Sequence, residues 1–301
     1  MISIIIPSFN RGKELIESLL SLNAQTCLEF EVIVVDDCSV EPVIIDVTEY
    51  RYRIKLHRNK KNLGAAASRN IGVKLSSCEW ICFLDDDDRF MDNKIFILNK
   101  EIKLNESVDL FFHRAKLNLV NENGFYLSSV YLPDEMKMKD DIFKVNFIGG
   151  APVIALKKDV FIAIGGFDEY MSALEDYDFA IKCIVNNLKI YYIKQVLIKC
   201  NYFTKRVSVS KNVKNTKDAL KHIYRKYKLT YTQETNFRHN QSVIMAFAYL
   251  MNLSRMSSIY YIKAFLSSRN LKFLLSAALS LLNPKLLLKL RCKIHNDGKV
   301  N

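Results

Sequence analysis

The chain has 301 residues, half of them hydrophobic, which is ample for a buried core in one large domain or two. Its seven cysteines include no CxxC pair and Met1 runs straight into a strand-like segment, so a disulfide framework, a zinc site and a signal peptide are not expected, and reduced thiols in a cytosolic protein are. The net charge of +12 is uneven: residues 205–301 carry 19 Lys and Arg against 3 Asp and Glu, net +16, and the first 204 residues 25 against 29, net −4. A near-neutral globular part is followed by a basic region suited to a negatively charged partner, nucleic acid or an anionic membrane surface.

Along the chain, "ISIIIPSF" is a continuous apolar, β-branched run that Pro7 stops. In "RGKELIESLLSLNAQ", Leu15, Leu19 and Leu22 fall at helical spacing. "FEVIVVDD" and "YRIKLHR" read as a second and third strand, "GAAASRNIGVKLSS" as a helix and "EWICFLDD" as a fourth strand. Continuous apolar strands separated by helices imply a parallel sheet covered on both faces, so the fold class is α/β. "VDLFFHRAKLNLV" supplies one or two further strands, Gly149-Gly150 and Gly165-Gly166 mark turns, 172–186 reads as a helix with acidic residues at its start, and "KIYYIKQVLIKCNYF" returns to strand. Beyond Thr204, residues 211–228 read as a basic helix. Apolar clusters with interspersed lysines then run to the end, and the uncharged stretch Asn240–Ser254 is short of the roughly 20 residues that span a bilayer. Such a pattern fits helices lying on a membrane surface, or packed on the catalytic domain with their lysines in water.

The polar residues cluster by position. The first strand ends in Ser8-Phe9-Asn10, the second in Asp36-Asp37 and the fourth in Asp85–Asp88. In a parallel sheet these carboxyl ends share one edge, where open α/β sheets bind ligands. Four aspartates in a row repel one another unless solvated or matched by a cation. Asp85 and Asp87, on a strand or its extension, would point to the same side and could hold Mg²⁺ or Mn²⁺ against a diphosphate. Asp37 suits a base N–H or a ribose hydroxyl, and also a turn. Arg69 could reach a phosphate or lie at the surface. In "ALEDYDF", Glu175, Asp176 and Asp178 stand near a helix start, where a carboxylate can take a proton from a hydroxyl or simply face solvent.

Over roughly 1–203 the motifs "IIIPSFNR", "EVIVVDDCS", "NLGAAASRNIG", "WICFLDDDDRF", "IGGFDE" and "EDYDF" together resemble the inverting family-2 glycosyltransferases with the nucleotide-binding GT-A fold. The resemblance implies a GT-A domain over 1–204, with a mostly parallel central sheet flanked by helices, and a basic amphipathic helical region over 205–301. It implies that Pro7 and Ser8 form the loop over the nucleotide, that Asp37 contacts a uracil ring and that Arg69 lies near the nucleotide. By the same resemblance Asp85 and Asp87 match the D-x-D pair, with Asp85 and Asp86 on the donor, Asp87 the likelier ligand of a Mn²⁺ or Mg²⁺ ion, and Asp86 or Asp88 able to take that part instead. Asp176 matches the general base, supported by Glu175. The implied reaction is transfer of one hexosyl unit from a nucleotide-sugar donor, favoured as a UDP-sugar, to a glycan or lipid-linked acceptor with inversion, as in O-antigen, capsule or exopolysaccharide biosynthesis.

The "QxxRW" motif of processive members is absent, which argues against a long polymer product. The expected location is cytoplasmic, peripheral at the inner face of the plasma membrane, with the basic region on anionic lipid. Two other readings remain. A nucleotidyltransferase of related fold would need a glycine-rich basic loop where the chain has "PSFNRGKEL". A nucleic-acid-binding protein would need no leucine clusters among its cations, so no nucleic-acid partner is expected.

Overall fold

The structure, a computed structural model, describes residues 1–205 and 211–296; parts of the expected basic region, 206–210 and 297–301, lie outside the described residues. In chain order the elements are β1 (Ile2–Ser8), α1 (Gly12–Leu22), β2 (Phe30–Asp36), β3 (Arg53–Arg58), α2 (Ala65–Leu75), β4 (Trp80–Phe83), β5 (Arg89–Phe90) and α3 (Lys94–Leu104). There follow β6 (Leu110–Leu119), β7 (Gly124–Leu127), α4 (Met138–Lys144), β8 (Ile154–Lys157), α5 (Lys158–Ala163), α6 (Glu175–Val185) and β9 (Ile190–Tyr202). The last five are α7 (Val213–Lys226), α8 (Tyr231–Met251), α9 (Ser257–Ser268), α10 (Leu271–Leu282) and α11 (Pro284–Asn296).

Two compact units result: Met1–Lys116 with Ile148–Tyr170 and Glu175–Cys200, and Leu117–Phe147 with Met171–Leu174 and Asn201–Asn301. The expected division at residue 204 therefore falls near residue 200, and the second unit also gathers two earlier segments of the chain. The sheet order is β3-β2-β1-β4-β8-β6-β9-β5, with β7 on β6. β1 pairs in parallel with β2 and β4, and β2 with β3. Beyond β4 the pairings of β8 with β4 and β6, and of β5 with β9, are antiparallel.

The first unit follows from its pattern. Ile2, Ile4, Ile5 and Ile6 are all fully buried, as a strand covered on both faces requires. Leu15, Leu19 and Leu22 form the buried stripe of α1. α2 lies so close to β1 that a Cβ on Gly72 would overlap the Ile5 side chain. In the second unit, Thr230 and Gln233 form a capping box that starts α8. There Gln233 and Asn236 donate to the carbonyls of Lys139 and Asp140 on α4. Leu119, Leu250, Met251, Tyr261, Leu287 and Leu288 belong to one buried cluster of this unit.

Candidate active site

The carboxyl ends of β1, β2 and β4 do form one edge. Ser8 pairs with Asp36 and Ile5 with Phe83, and the chain leaves each strand at a polar residue. Pro7 is the penultimate residue of β1, in register with Val35. The Ser8 hydroxyl donates to Asp86 Oδ2 at 2.9 Å. Asn10, at a positive φ of 55°, donates its backbone N–H to Ser39 Oγ, and its side-chain oxygen accepts from Val40 N–H, which fixes the loop after β2.

β4 stops at Phe83, and the four aspartates form a turn in which Asp88 N–H donates to the Asp85 carbonyl at 3.0 Å. Strand alternation therefore does not set the directions of Asp85 and Asp87; two arginines do. Arg11 Nη1 donates to Asp86 Oδ1 at 3.0 Å and to Asp87 Oδ2 at 2.7 Å. Arg69 donates from Nη2 to Asp85 Oδ1 at 2.7 Å and from Nη1 to Glu175 Oε1 at 2.8 Å. The side chains of Asp85, Asp86 and Asp87 are 35 %, 6 % and 16 % exposed, so Asp85 and Asp87 are the accessible pair. Asp88 is buried, accepts from the Cys200 thiol, and its carbonyl accepts from Ser18 Oγ at 3.0 Å. Asp88 thus anchors the turn from inside.

Asp37 Oδ1 accepts from Asn59 Nδ2 at 2.7 Å and Leu63 N–H at 2.8 Å, and Oδ2 from Gly64 N–H at 2.8 Å. A carboxylate has about four acceptor positions, so three are committed to the loop that starts α2. Asp36 pairs with Arg58 at 2.7 Å and accepts from Ser39 N–H. On the other side, Asn70 on α2 exchanges hydrogen bonds with the backbone of Phe167 and donates to Glu169, fastening the "GGFDE" turn. Asp178 is fully buried and pairs with Lys182, whose Nζ donates to the Gly166 carbonyl at 2.7 Å. Asp178 is accordingly a packing residue, whereas its neighbour Asp176 lines a recess made by Ile148, Ala151, Phe167 and Phe179. Asp176 Oδ2 would lie 3.0 Å from a Cβ placed on Gly150, so glycine leaves this carboxylate its room.

With this arrangement in view, the comparisons are decisive. Residues 3–165 match the Glycosyl transferase family 2 description. An uncharacterized glycosyltransferase of Haemophilus influenzae is 40% identical over 292 residues, covering 97% of this chain and 99% of its own length. This chain is a family 2 glycosyltransferase. The amylovoran biosynthesis glycosyltransferase AmsB of Erwinia amylovora is 28% identical, over 67% of this chain and 70% of that one. The Escherichia coli protein WfgD, a UDP-Glc:alpha-D-GlcNAc-diphosphoundecaprenol beta-1,3-glucosyltransferase, is 34% identical over 41% of this chain and 48% of its own. Among solved structures, S. aureus TarS 1-349 in complex with UDP superposes with a TM-score of 0.58 at 17% identity, covering 99% of this chain and 92% of that one. The fold is thus the GT-A glycosyltransferase fold, with helices following the sheet.

The electrostatics of this glycosyltransferase divide its acids. Burial pushes Asp86 up to about 6, Asp87 adds to the rise, and Arg11 opposes it. Burial also pushes Asp176 up to about 7, with Glu175 adding to the rise, while Tyr177 N–H, at 2.7 Å, and Arg69 pull it down. A carboxylate poised there can exchange a proton near neutral pH. Burial works against the charge on Arg69, but Asp85 and Glu175 outweigh it and keep the guanidinium protonated.

Hard oxygen donors at a strand end suit Mg²⁺ or Mn²⁺ in kind. Among the described residues no three His, Cys, Asp or Glu side chains converge into a cage, so a cation would need oxygens from a bound diphosphate or water. Arg11 and Lys94 were not singled out from the sequence. Lys94 is fully buried, its Nζ donates to the Pro152 carbonyl at 2.9 Å and lies 3.7 Å from the Phe90 ring centre, and burial lowers it to about 8. Arg11 was findable in principle, since "PSFNR" places it directly after β1 at the acidic edge.

Proposed function

We propose that this glycosyltransferase moves one sugar from a UDP-sugar to a hydroxyl of a glycan or lipid-linked acceptor, with inversion, in the making of a cell-surface polysaccharide. The observation that carries this is Arg69, which ties Asp85 of the aspartate turn to Glu175, the neighbour of Asp176. Donor-side carboxylates and a proton-accepting carboxylate are thereby held at one edge. The UDP-sugar and the lipid-linked acceptor follow WfgD, whose name states both, and the polysaccharide setting follows AmsB.

Asp176 accepts the proton of the acceptor hydroxyl as that oxygen bonds to the anomeric carbon. The carbon–oxygen bond to the diphosphate breaks on the opposite face, and its electron pair leaves with the diphosphate. Asp87, with Asp85, would hold a Mn²⁺ or Mg²⁺ ion, whose charge offsets that of the leaving diphosphate. In this reading Asp37, buried at the edge with three acceptor positions already filled, meets a uracil or ribose donor group with its fourth, and Pro7 and Ser8 border the same edge. A lipid-linked acceptor also places the enzyme peripherally at an anionic cytoplasmic membrane surface.

The test is transfer from a panel of UDP-sugars to a lipid-diphosphate sugar acceptor, with the anomeric configuration of the product read by NMR. An inverted linkage, lost with Asp176→Asn, is the expected result. A retained configuration would remove the single-displacement reading.

A further inference from the structure

Helix α10 is built inside out for a water-soluble helix. Ala277 and Ser280 are its buried residues. Most of its leucines face solvent, with Leu271, Leu275 and Leu282 65 %, 65 % and 72 % exposed, while Leu279 packs against the buried cluster. They recur at i, i+4 and i+11, one stripe of a helix. The preceding helix α9 repeats the feature, with Ile259, Ile262 and Leu266 exposed at i, i+3 and i+7 and Tyr261 and Ala264 buried. The two helices join at Arg269, whose positive φ of 56° makes the turn, and Asn270 caps α10 by accepting from Lys272 N–H. Large apolar stripes of this kind, left in water, mark an interaction surface.

The charges say what covers it. From residue 235 to residue 296 the sequence contains no Asp or Glu, while Lys263 and Lys272 stand on the two helices and Arg269 between them. No helix among the described residues is long and apolar enough to cross a membrane, and α10 has 12 residues where a span needs roughly 20. Leucine stripes beside cations on helices too short to span are the composition of a helix lying in the lipid interface. A second copy would set cations against cations with no acid in this stretch to meet them, and a nucleic acid would leave the leucines uncovered.

We propose that the exposed stripes of α9 and α10 insert into the interface of an anionic lipid bilayer, with Lys263, Arg269 and Lys272 at the headgroups. This deepens the membrane part of the reading above. Vesicle binding is read without turnover, so its failure leaves the sugar-transfer reading standing.

The experiment floats the full chain with vesicles of phosphatidylglycerol and phosphatidylcholine, and with phosphatidylcholine alone, at low and high salt. Expected is binding to the anionic vesicles that weakens with salt. Lys263→Gln with Lys272→Gln should lower partitioning about 25-fold, at about fivefold for each cation near an anionic surface. Leu271→Gln, Leu275→Gln and Leu282→Gln together should lower it by more than about tenfold, since each leucine loses its burial in lipid. All five residues are solvent-facing, and an unchanged melting temperature confirms the fold of each variant. Absence of binding to anionic vesicles would overturn the proposal. So would full binding by the leucine variant, which would leave only surface charge. A concentration-dependent dimer that the leucine variant breaks, without vesicle binding, would assign the surface to a second copy instead.

Discussion

Replacing Asp176 with asparagine should separate catalysis from stability. The carboxylate sits in an apolar recess beside Glu175, and its pKa is raised from the ordinary 3.8 to about 7. A group whose pKa rises on folding adds stability that is fully present below the unfolded value and is lost as pH climbs through the folded one. Ionised Asp176 is therefore a burden on the fold at neutral and higher pH. The gap from 3.8 to about 7, at about 1.4 kcal/mol per pH unit, sets a ceiling of about 4 kcal/mol, of which up to about 3 kcal/mol is lost between pH 5 and pH 8. Because Asp176 keeps some exposure, solvent screening should reduce this to about 1–2 kcal/mol. Urea denaturation of both proteins at pH 5 and pH 8 measures it. Groups remote from Asp176 titrate alike in both proteins and cancel in the difference. Asp176→Asn should gain about 1–2 kcal/mol on wild type between the two pH values, while kcat falls about 10²- to 10⁴-fold, the span of a lost general base. Wild-type activity should fall away as pH drops below about 7, when Asp176 takes up a proton. A stability difference that ignores pH, or activity within tenfold of wild type, would refute the reasoning.

Three further outcomes follow from the same edge. Arg69→Met leaves Asp85 and Glu175 without their shared partner, so unfolding free energy should drop by about 3 kcal/mol in denaturant titration and transfer activity should be lost. Gly72→Ala drives a methyl group into Ile5 and should cost about 1–3 kcal/mol by the same titration, with the catalytic groups intact. Arg11→Gln removes the cation that Asp86 and Asp87 share; calorimetry should then find tighter Mn²⁺ binding, because an ion no longer competes with the guanidinium.

The strands of the first unit were legible because continuous β-branched runs with polar ends have few other uses, and the gathering of those ends at one edge followed from parallel pairing. The aspartate run was legible as a cluster but not as a shape. Asp88 closes a turn on Asp85, and a turn has no alternation from which to read side-chain directions. The pairings that balance the run were out of reach for a different reason. Arg11 meets Asp87 from 76 residues away and Arg69 meets Glu175 from 106, and local periodicity carries no information on such pairs. The same holds for Asp178, which shares a motif with Asp176 yet is wholly buried against Lys182. In the carboxy-terminal helices the apolar content was plain but not its direction. The leucines of "LKFLLSAALSLL" fall on one side of the helix, the side that periodicity would assign to a core, and only packing decides that Ala277 and Ser280 face inward instead. The second unit drew in 117–147 because β7 and α4 find partners far along the chain, α4 on α8 through Phe143 and Phe237.

The most direct test of the site is calorimetric titration of UDP into the folded protein, with Mn²⁺ and then with EDTA, for wild type and Asp87→Ala. Binding that needs the metal and disappears with the substitution is the predicted result. Binding indifferent to both EDTA and Asp87→Ala, or no binding to UDP at all, would contradict the assignment of the aspartate turn to the donor diphosphate.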